Sequence, residues 1–294
     1  MSEWGRPAWP PDGGEGGVPN RVRRLRTRLR PRSRPRFRGP SFNRIIPNIL
    51  TLVGLCAGLT SVRFALDGRF GAAAIAITFA ACIDGLDGRL ARLLKAVSRF
   101  GAEFDSLTDF MGFGVAPAFV LYLWSLQRLG PFGFVPCMFF AVCMALRLAR
   151  FNAALDAGPS PAYAYNFFTG VPAPAGAGLA LLPVFLGLEG NALGISWLVG
   201  VARSPALCAP VLVGTALLCV STLPIWSFKN FKVPAEYVLP VLLGVGLFAA
   251  VLVADPWAAF VGLGMAYLIM LPFSVRSFRR LRRAAEQEPD ASDR

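Results

Sequence analysis

The stretch FGAAAIAITFAACIDGLDGRLARLLKAVSRFGAEFDSLTDF, residues 70–110, begins as an uncharged apolar run and then admits four aspartates, Asp84, Asp87, Asp105 and Asp109. A helix of about 20 apolar residues crosses a bilayer, and the first half of this stretch is long enough to do so. One charged side chain at the centre of such a helix costs about 2.5–3.5 kcal/mol, so four would cost roughly 10 kcal/mol if nothing compensated them. What surrounds the chain, and what offsets the carboxylates, are the two questions that organise the rest of the sequence.

The surroundings follow from the pattern repeated along the chain. Besides residues 70–94, apolar runs occupy roughly 45–66, 107–127, 131–152, 170–189, 206–225, 235–254 and 256–275. With 55% hydrophobic residues and a mean hydropathy of +0.53, eight such runs exclude a soluble core. They predict an all-α polytopic membrane helix bundle of about eight transmembrane helices. The first run lies behind a long arginine-rich arm, unlike the short charged region of a cleavable signal peptide, so the N-terminus is expected to be retained. All six cysteines fall inside apolar runs without ligand spacing and read as small packing residues. The chain has no histidine, which removes every imidazole mechanism and every His metal ligand.

Charge then orients the bundle. Residues 1–44 hold twelve arginines against three acids in a net charge of +13. The proline-broken run RVRRLRTRLRPRSRPRFR cannot bury a core. Residues 1–40 are therefore expected to be a disordered cytosolic arm on anionic lipid headgroups, each basic residue being worth about 1 kcal/mol there; no nucleic acid is expected. Residues 41–275 form the membrane domain, with SFNRIIP at 41–47 as a short interfacial helix turning at Pro47, and residues 276–294 form a cytosolic tail whose acidic end is disordered. Arg89, Arg92, Lys95 and Arg99, then Arg147 and Arg150, then Lys229 and Lys232, fall on one side under the positive-inside rule. An even number of spans with both termini cytosolic satisfies every loop, and it places the aspartates at the cytosolic boundary of the cell membrane.

On a helix, Asp87 lies about 60° from Asp84, Gly88 and Ala91 lie within about 40° of it, and Arg92 about 80° away. Gly101 breaks the connection to the next helix, where Asp105 and Asp109 stand one turn apart. Two antiparallel helices thus gather four carboxylates that repel one another, and bound divalent cations remove that conflict. An all-oxygen site without His or Cys suits hard ions, Mg²⁺ or Mn²⁺, which usually share their coordination with substrate phosphates. Gly88 and Ala91 leave room for a bulky headgroup, and Arg92 can pair with a phosphate. Purely structural small-residue packing is the competing reading for Gly88 and Ala91.

Written out, Asp84-x-x-Asp87-Gly88-x-x-Ala91-Arg92, eight residues, then Gly101-x-x-x-Asp105-x-x-x-Asp109, resembles the complete signature of the CDP-alcohol phosphotransferase family. The resemblance implies an integral membrane enzyme that moves a phosphatidyl-type group from a CDP-linked lipid to an alcohol with release of CMP. It implies that Asp84, Asp87 and Asp105 are metal ligands and that Asp109 is both ligand and general base. Gly88 and Ala91 would make space for the cytidine diphosphate. The flanks PNILT (47–51), DSLTDFMGFGVAPAF (105–119), ALRLARFN (145–152), FTGVPAPA (168–175) and FKNFK (228–232) look like the bacterial serine-using branch, whose substrates are CDP-diacylglycerol and L-serine and whose members often form homodimers.

Serine is a zwitterion, so its site needs a cation. Arg147 and Arg150, at i,i+3 on one helix, are expected to contact a phosphate or the serine carboxylate, with Lys232 a weaker candidate and topology anchoring the competing role. Asn48 and Thr51, at the start of the first span, are expected to line the nucleotide site, unless Asn48 is a simple helix cap. Other acceptors (glycerol 3-phosphate, inositol phosphate or choline) remain the nearest alternative. A prenyltransferase would need a second aspartate-rich motif, which the scattered Glu189, Glu236 and Asp255 do not make. A cation transporter would spread its carboxylates across the membrane rather than cluster them.

Overall fold

The computed structural model describes residues 42–96, 98–155, 167–226 and 235–287. The arm, Lys229, Lys232 and the acidic end of the chain lie outside the described residues. What is described is almost wholly helical. Six helices are long and apolar enough to cross a membrane, or up to eight if each of two bent pairs is one span. The all-α polytopic bundle expected from the apolar runs is the architecture found.

The first element, α1, runs unbroken from Phe42 to Leu66 with Pro47 inside it. SFNRIIP is thus not a separate interfacial helix. Pro47, the sixth residue, costs the helix one internal hydrogen bond, and the Thr51 hydroxyl oxygen lies 3.1 Å from the Pro47 carbonyl. A turn at Asp67–Arg69, with Gly68 at φ +72°, returns the chain as α2 (Phe70–Leu93). Gly54 and Gly58, four residues apart, let neighbours approach α1 closely. A methyl on Gly54 would meet Ile83 of α2 at 3.5 Å, and one on Gly58 would meet the Gly112 Cα at 3.0 Å.

The third span begins at Arg99, not near residue 107. Polar residues hide its first two turns from hydropathy, but the Ser98 side chain caps it by accepting from the Gly101 N–H at 3.0 Å. Gly101 therefore sits in the first turn of α3 (Arg99–Asp109) and does not break the connection. The span continues through a π-helical turn, Phe110–Val115, into α4 (Ala116–Trp124). A 3₁₀ segment, Leu126–Gly133, leads to α5 (Phe134–Leu155).

Beyond α5, β1 (Phe167–Thr169) pairs antiparallel with β2 (Pro224–Trp226) in the register Phe168 opposite Ile225. Between them lie α6 (Ala173–Ala180) and α7 (Leu182–Ala192), bent by 46°, and α8 (Ser196–Ala202) and α9 (Pro205–Val220), bent by 49°. Prolines 183 and 205 stand at the two breaks, where each removes a helical N–H and clashes with the preceding turn. α10 (Ala235–Ala254) packs on α11 (Pro256–Gln287). α11 runs on to Gln287, so the basic cluster RSFRRLRR continues the last helix. The core joins α4, α5, α6 and α9 around Leu121, Phe140, Met144, Leu181 and Leu212. At the end of α4, Trp124 donates to the Ala202 carbonyl at 2.8 Å, and the Arg203 guanidinium lies 4.2 Å from its ring centroid. The six cysteines are free, four buried and Cys56 and Cys82 exposed, so the packing role fits four of them.

Candidate active site

The carboxylates converge where α2 and α3 meet α1. Single oxygens of Asp84, Asp105 and Asp109 all lie within 4.8 Å of one another. They line a narrow cleft with Asp87, Thr51, Gly54, Thr108 and Gly112. Its free space is about 10 Å³, room for one ion or water-sized group and not for a nucleotide.

Asp87 stands beside this trio with a partner of its own. It is buried, and its Oδ2 accepts the Thr51 hydroxyl at 2.8 Å. Asn48 sits one turn earlier on α1, where its Oδ1 would be 3.2 Å from a methyl added at Gly101. Asn48, Gly101 and Ser98 therefore form a close seam that seats the start of α3 on α1. Beside Gly88 a methyl would meet nothing within 4 Å. Ala91 is half-buried and Arg92 exposed, so this face of α2 is open next to the carboxylates.

The arginines of α5 divide their work. Arg150 gives its terminal nitrogens to three main-chain carbonyls, Val220 at 2.6 Å, Ser221 at 3.1 Å and Thr169 at 3.3 Å. That makes it a clasp across β1 and the end of α9. Gly170 completes the clasp at φ +79°, since a methyl there would lie 2.7 Å from both the Cys219 and Ser221 carbonyls. Arg147 fixes its Nε on the Val171 carbonyl at 2.6 Å, and its guanidinium lies close enough to Asp109 and Asp84 to act on their charge. Lys232 is outside the described residues.

Two contributors escaped the sequence reading. Asn152 donates from Nδ2 to the Ser106 hydroxyl at 2.9 Å, tying α5 to α3 between Asp105 and Asp109. The π turn begins at the residue after Asp109, and such turns concentrate at functional sites. The available signals were Asn152 in ALRLARFN, Gly54-x-x-x-Gly58, and the paired glycines of Gly112-Phe113-Gly114.

The donor set tests the metal expectation directly. Three hard oxygen donors crowd one point, and among the described residues no Lys or Arg nitrogen reaches them within 4.0 Å. Arg147 tempers their mutual repulsion from a distance without pairing with them, and a hard divalent ion of the Mg²⁺ or Mn²⁺ kind fits that chemistry.

A family model described as CDP-alcohol phosphatidyltransferase matches residues 44–203. The chain belongs to the CDP-alcohol phosphatidyltransferase family. A second model, CDP-alcohol phosphatidyltransferase 2, matches residues 236–272. Among similar proteins, a CDP-diacylglycerol–serine O-phosphatidyltransferase of Mycobacterium tuberculosis is 41% identical over 85% of this chain and 83% of its own. The protein of the same name from Mycobacterium leprae is 42% identical over 81% and 77%, and that from Helicobacter pylori 34% identical over 77% and 90%. As a CDP-alcohol phosphatidyltransferase, this chain has its signature aspartates on α2 and α3, inside the matched region.

Proposed function

We propose that this chain is a phosphatidylserine synthase, which transfers the phosphatidyl group of CDP-diacylglycerol to L-serine and releases CMP. The observation that carries the reading is the carboxylate trio at the α1–α2–α3 junction. The names of the relatives that cover most of the chain supply the acceptor. Asp84, Asp105 and Asp109 would hold a divalent cation, Mg²⁺ or Mn²⁺, with Asp87 beside them steadied by Thr51. When bound, the cation supplies positive charge against the diphosphate and the departing CMP.

The chain's own groups do the rest. The open face at Gly88 and Ala91 receives the cytidine diphosphate, with Arg92 free to meet a phosphate. Asp109 takes the proton of the serine hydroxyl as that oxygen bonds to the lipid-side phosphorus, and the bond from that phosphorus to the CMP oxygen breaks. A neutral hydroxyl is a weak nucleophile, so positioning and electrostatics must lower most of the barrier. Arg147, with Nε fixed, is placed to attract the serine carboxylate or a phosphate. Both termini and the carboxylates lie at the cytosolic face of the cell membrane in this reading, where the basic loops gather. The Arg-rich arm lies on anionic headgroups there.

The test is CMP release by purified protein given CDP-diacylglycerol and Mn²⁺ or Mg²⁺, with serine, glycerol 3-phosphate, inositol phosphate or choline added in turn. Release with serine alone, abolished by EDTA, is the expected result. Release with a different alcohol alone keeps the site and overturns the acceptor.

A further inference from the structure

A second cavity, of about 280 Å³, lies between α2, α6, α7 and α11. Ile77, Gly178, Phe185, Phe260, Gly264 and Tyr267 line it, and its walls are almost wholly apolar. Ile77 is seven residues before Asp84, which places it about 10.5 Å along α2 and within about 20° of the same face. The other α2 wall residues, Thr78 and Ala81, lie about 120° and 60° round from Asp84, so the cavity adjoins the aspartate face of α2, with the apolar space deeper and the charge nearer the helix end. Its far wall is deliberate in shape: Leu182 leans into the space that a methyl on Gly264 would occupy, and Phe185 stacks on Phe260 with centroids 5.0 Å apart.

One polar atom breaks the apolar lining. The Tyr267 hydroxyl is buried and has no hydrogen-bond partner among the described residues. The other lining hydroxyl, that of Thr78, is spent on the Ala74 carbonyl at 3.0 Å. Tyr267 is within electrostatic reach of Arg147, the arginine of α5 that also acts on Asp109. Buried hydroxyls are ordinarily paired, and an unpaired one marks a missing acceptor.

We infer that this cavity seats one acyl chain of the lipid substrate and selects among chains by length, with the Tyr267 hydroxyl donating to the ester carbonyl at its mouth. The inference rests on the phosphatidyl-transfer reading above and adds its specificity determinant. An acyl ester supplies what the cavity lacks, one acceptor at the polar end followed by a continuous apolar chain. Gly178 is the useful probe, because a side chain there would meet nothing within 4 Å and would grow into the cavity without a clash.

The experiment measures kcat/KM for CMP release with dioleoyl and with dihexanoyl CDP-diacylglycerol, for wild type, Gly178→Leu and Tyr267→Phe. Gly178→Leu displaces contact with roughly two methylenes, so it lowers kcat/KM for the dioleoyl lipid about tenfold and leaves the dihexanoyl lipid within about twofold. Tyr267→Phe raises KM for both lipids about fivefold, the loss of one hydrogen bond, with the KM for serine unchanged. A folded Gly178→Leu protein with the wild-type ratio between the two lipids overturns the inference. Should that variant fail to fold, Tyr267→Phe decides, and an unchanged lipid KM overturns it. Absence of CMP release by the wild type with either lipid removes the underlying transfer reading instead, and this inference with it.

Discussion

Arg150→Lys separates a clasp from a substrate contact. The native guanidinium spans three carbonyls on two stretches of chain, Thr169 on one side and Val220 and Ser221 on the other. An ammonium keeps the charge but concentrates its donors on one nitrogen, so it can reach one of these stretches and not both. At least one carbonyl bond is lost outright and a second is weakened, in a part-buried place where an unmet acceptor costs more than the bond was worth. The loss is about 2–4 kcal/mol. A domain of this size shifts its midpoint by about 2–4 °C per kcal/mol, so the apparent Tm in detergent should fall by about 5–15 °C. Differential scanning fluorimetry with and without lipid gives the Tm, and CMP release below the transition gives the KM for serine. A wild-type Tm combined with a serine KM raised about tenfold or more would refute the clasp and return Arg150 to the substrate.

Three further outcomes follow from the same geometry. Asp109→Asn should retain CDP-lipid binding by equilibrium titration while CMP release falls about 10²–10⁴-fold, the usual weight of a general base; retained turnover would sink the base assignment. Thr51→Val leaves buried Asp87 without its hydroxyl donor at a cost of about 1.5–3 kcal/mol, and kcat/KM should drop by about one to two decades at fixed metal. A Thr51→Ser control should restore most of it. Gly170→Ala places a methyl 2.7 Å from two carbonyls at φ +79°, so yield and Tm should both fall, whereas Gly178→Ala, which meets nothing, should leave them near wild type.

The parts of this site that could be read in the sequence are those set by one helix at a time. Asp84 and Asp87, or Asp105 and Asp109, are close because a helix repeats every 3.6 residues, and spacing alone shows it. The role of Arg150 was hidden because its acceptors lie as far as Ser221, brought near only by the β1–β2 pairing. Hydropathy found the spans but missed the start of α3, where Arg99, Glu103 and Asp105 dilute the apolar signal. It was also blind to the bends before Leu182 and Pro205, since a window average carries no direction. Asp87 shared its helix face with Asp84 on paper, yet its partner, Thr51, belongs to α1 and could be assigned only from the packed structure.

The π turn after Asp109 carries one residue more than an α-turn would need. Winding the same six residues, Phe110–Val115, as a regular helix would rotate everything on its N-terminal side by roughly 90–100° relative to α4. Asp105 and Asp109 would then swing away from Asp84 although neither had been altered. This segment can therefore exchange one side chain for another with modest loss, but the wide turn itself has to persist: the register of the carboxylates is written in how the backbone winds as much as in the identity of its residues.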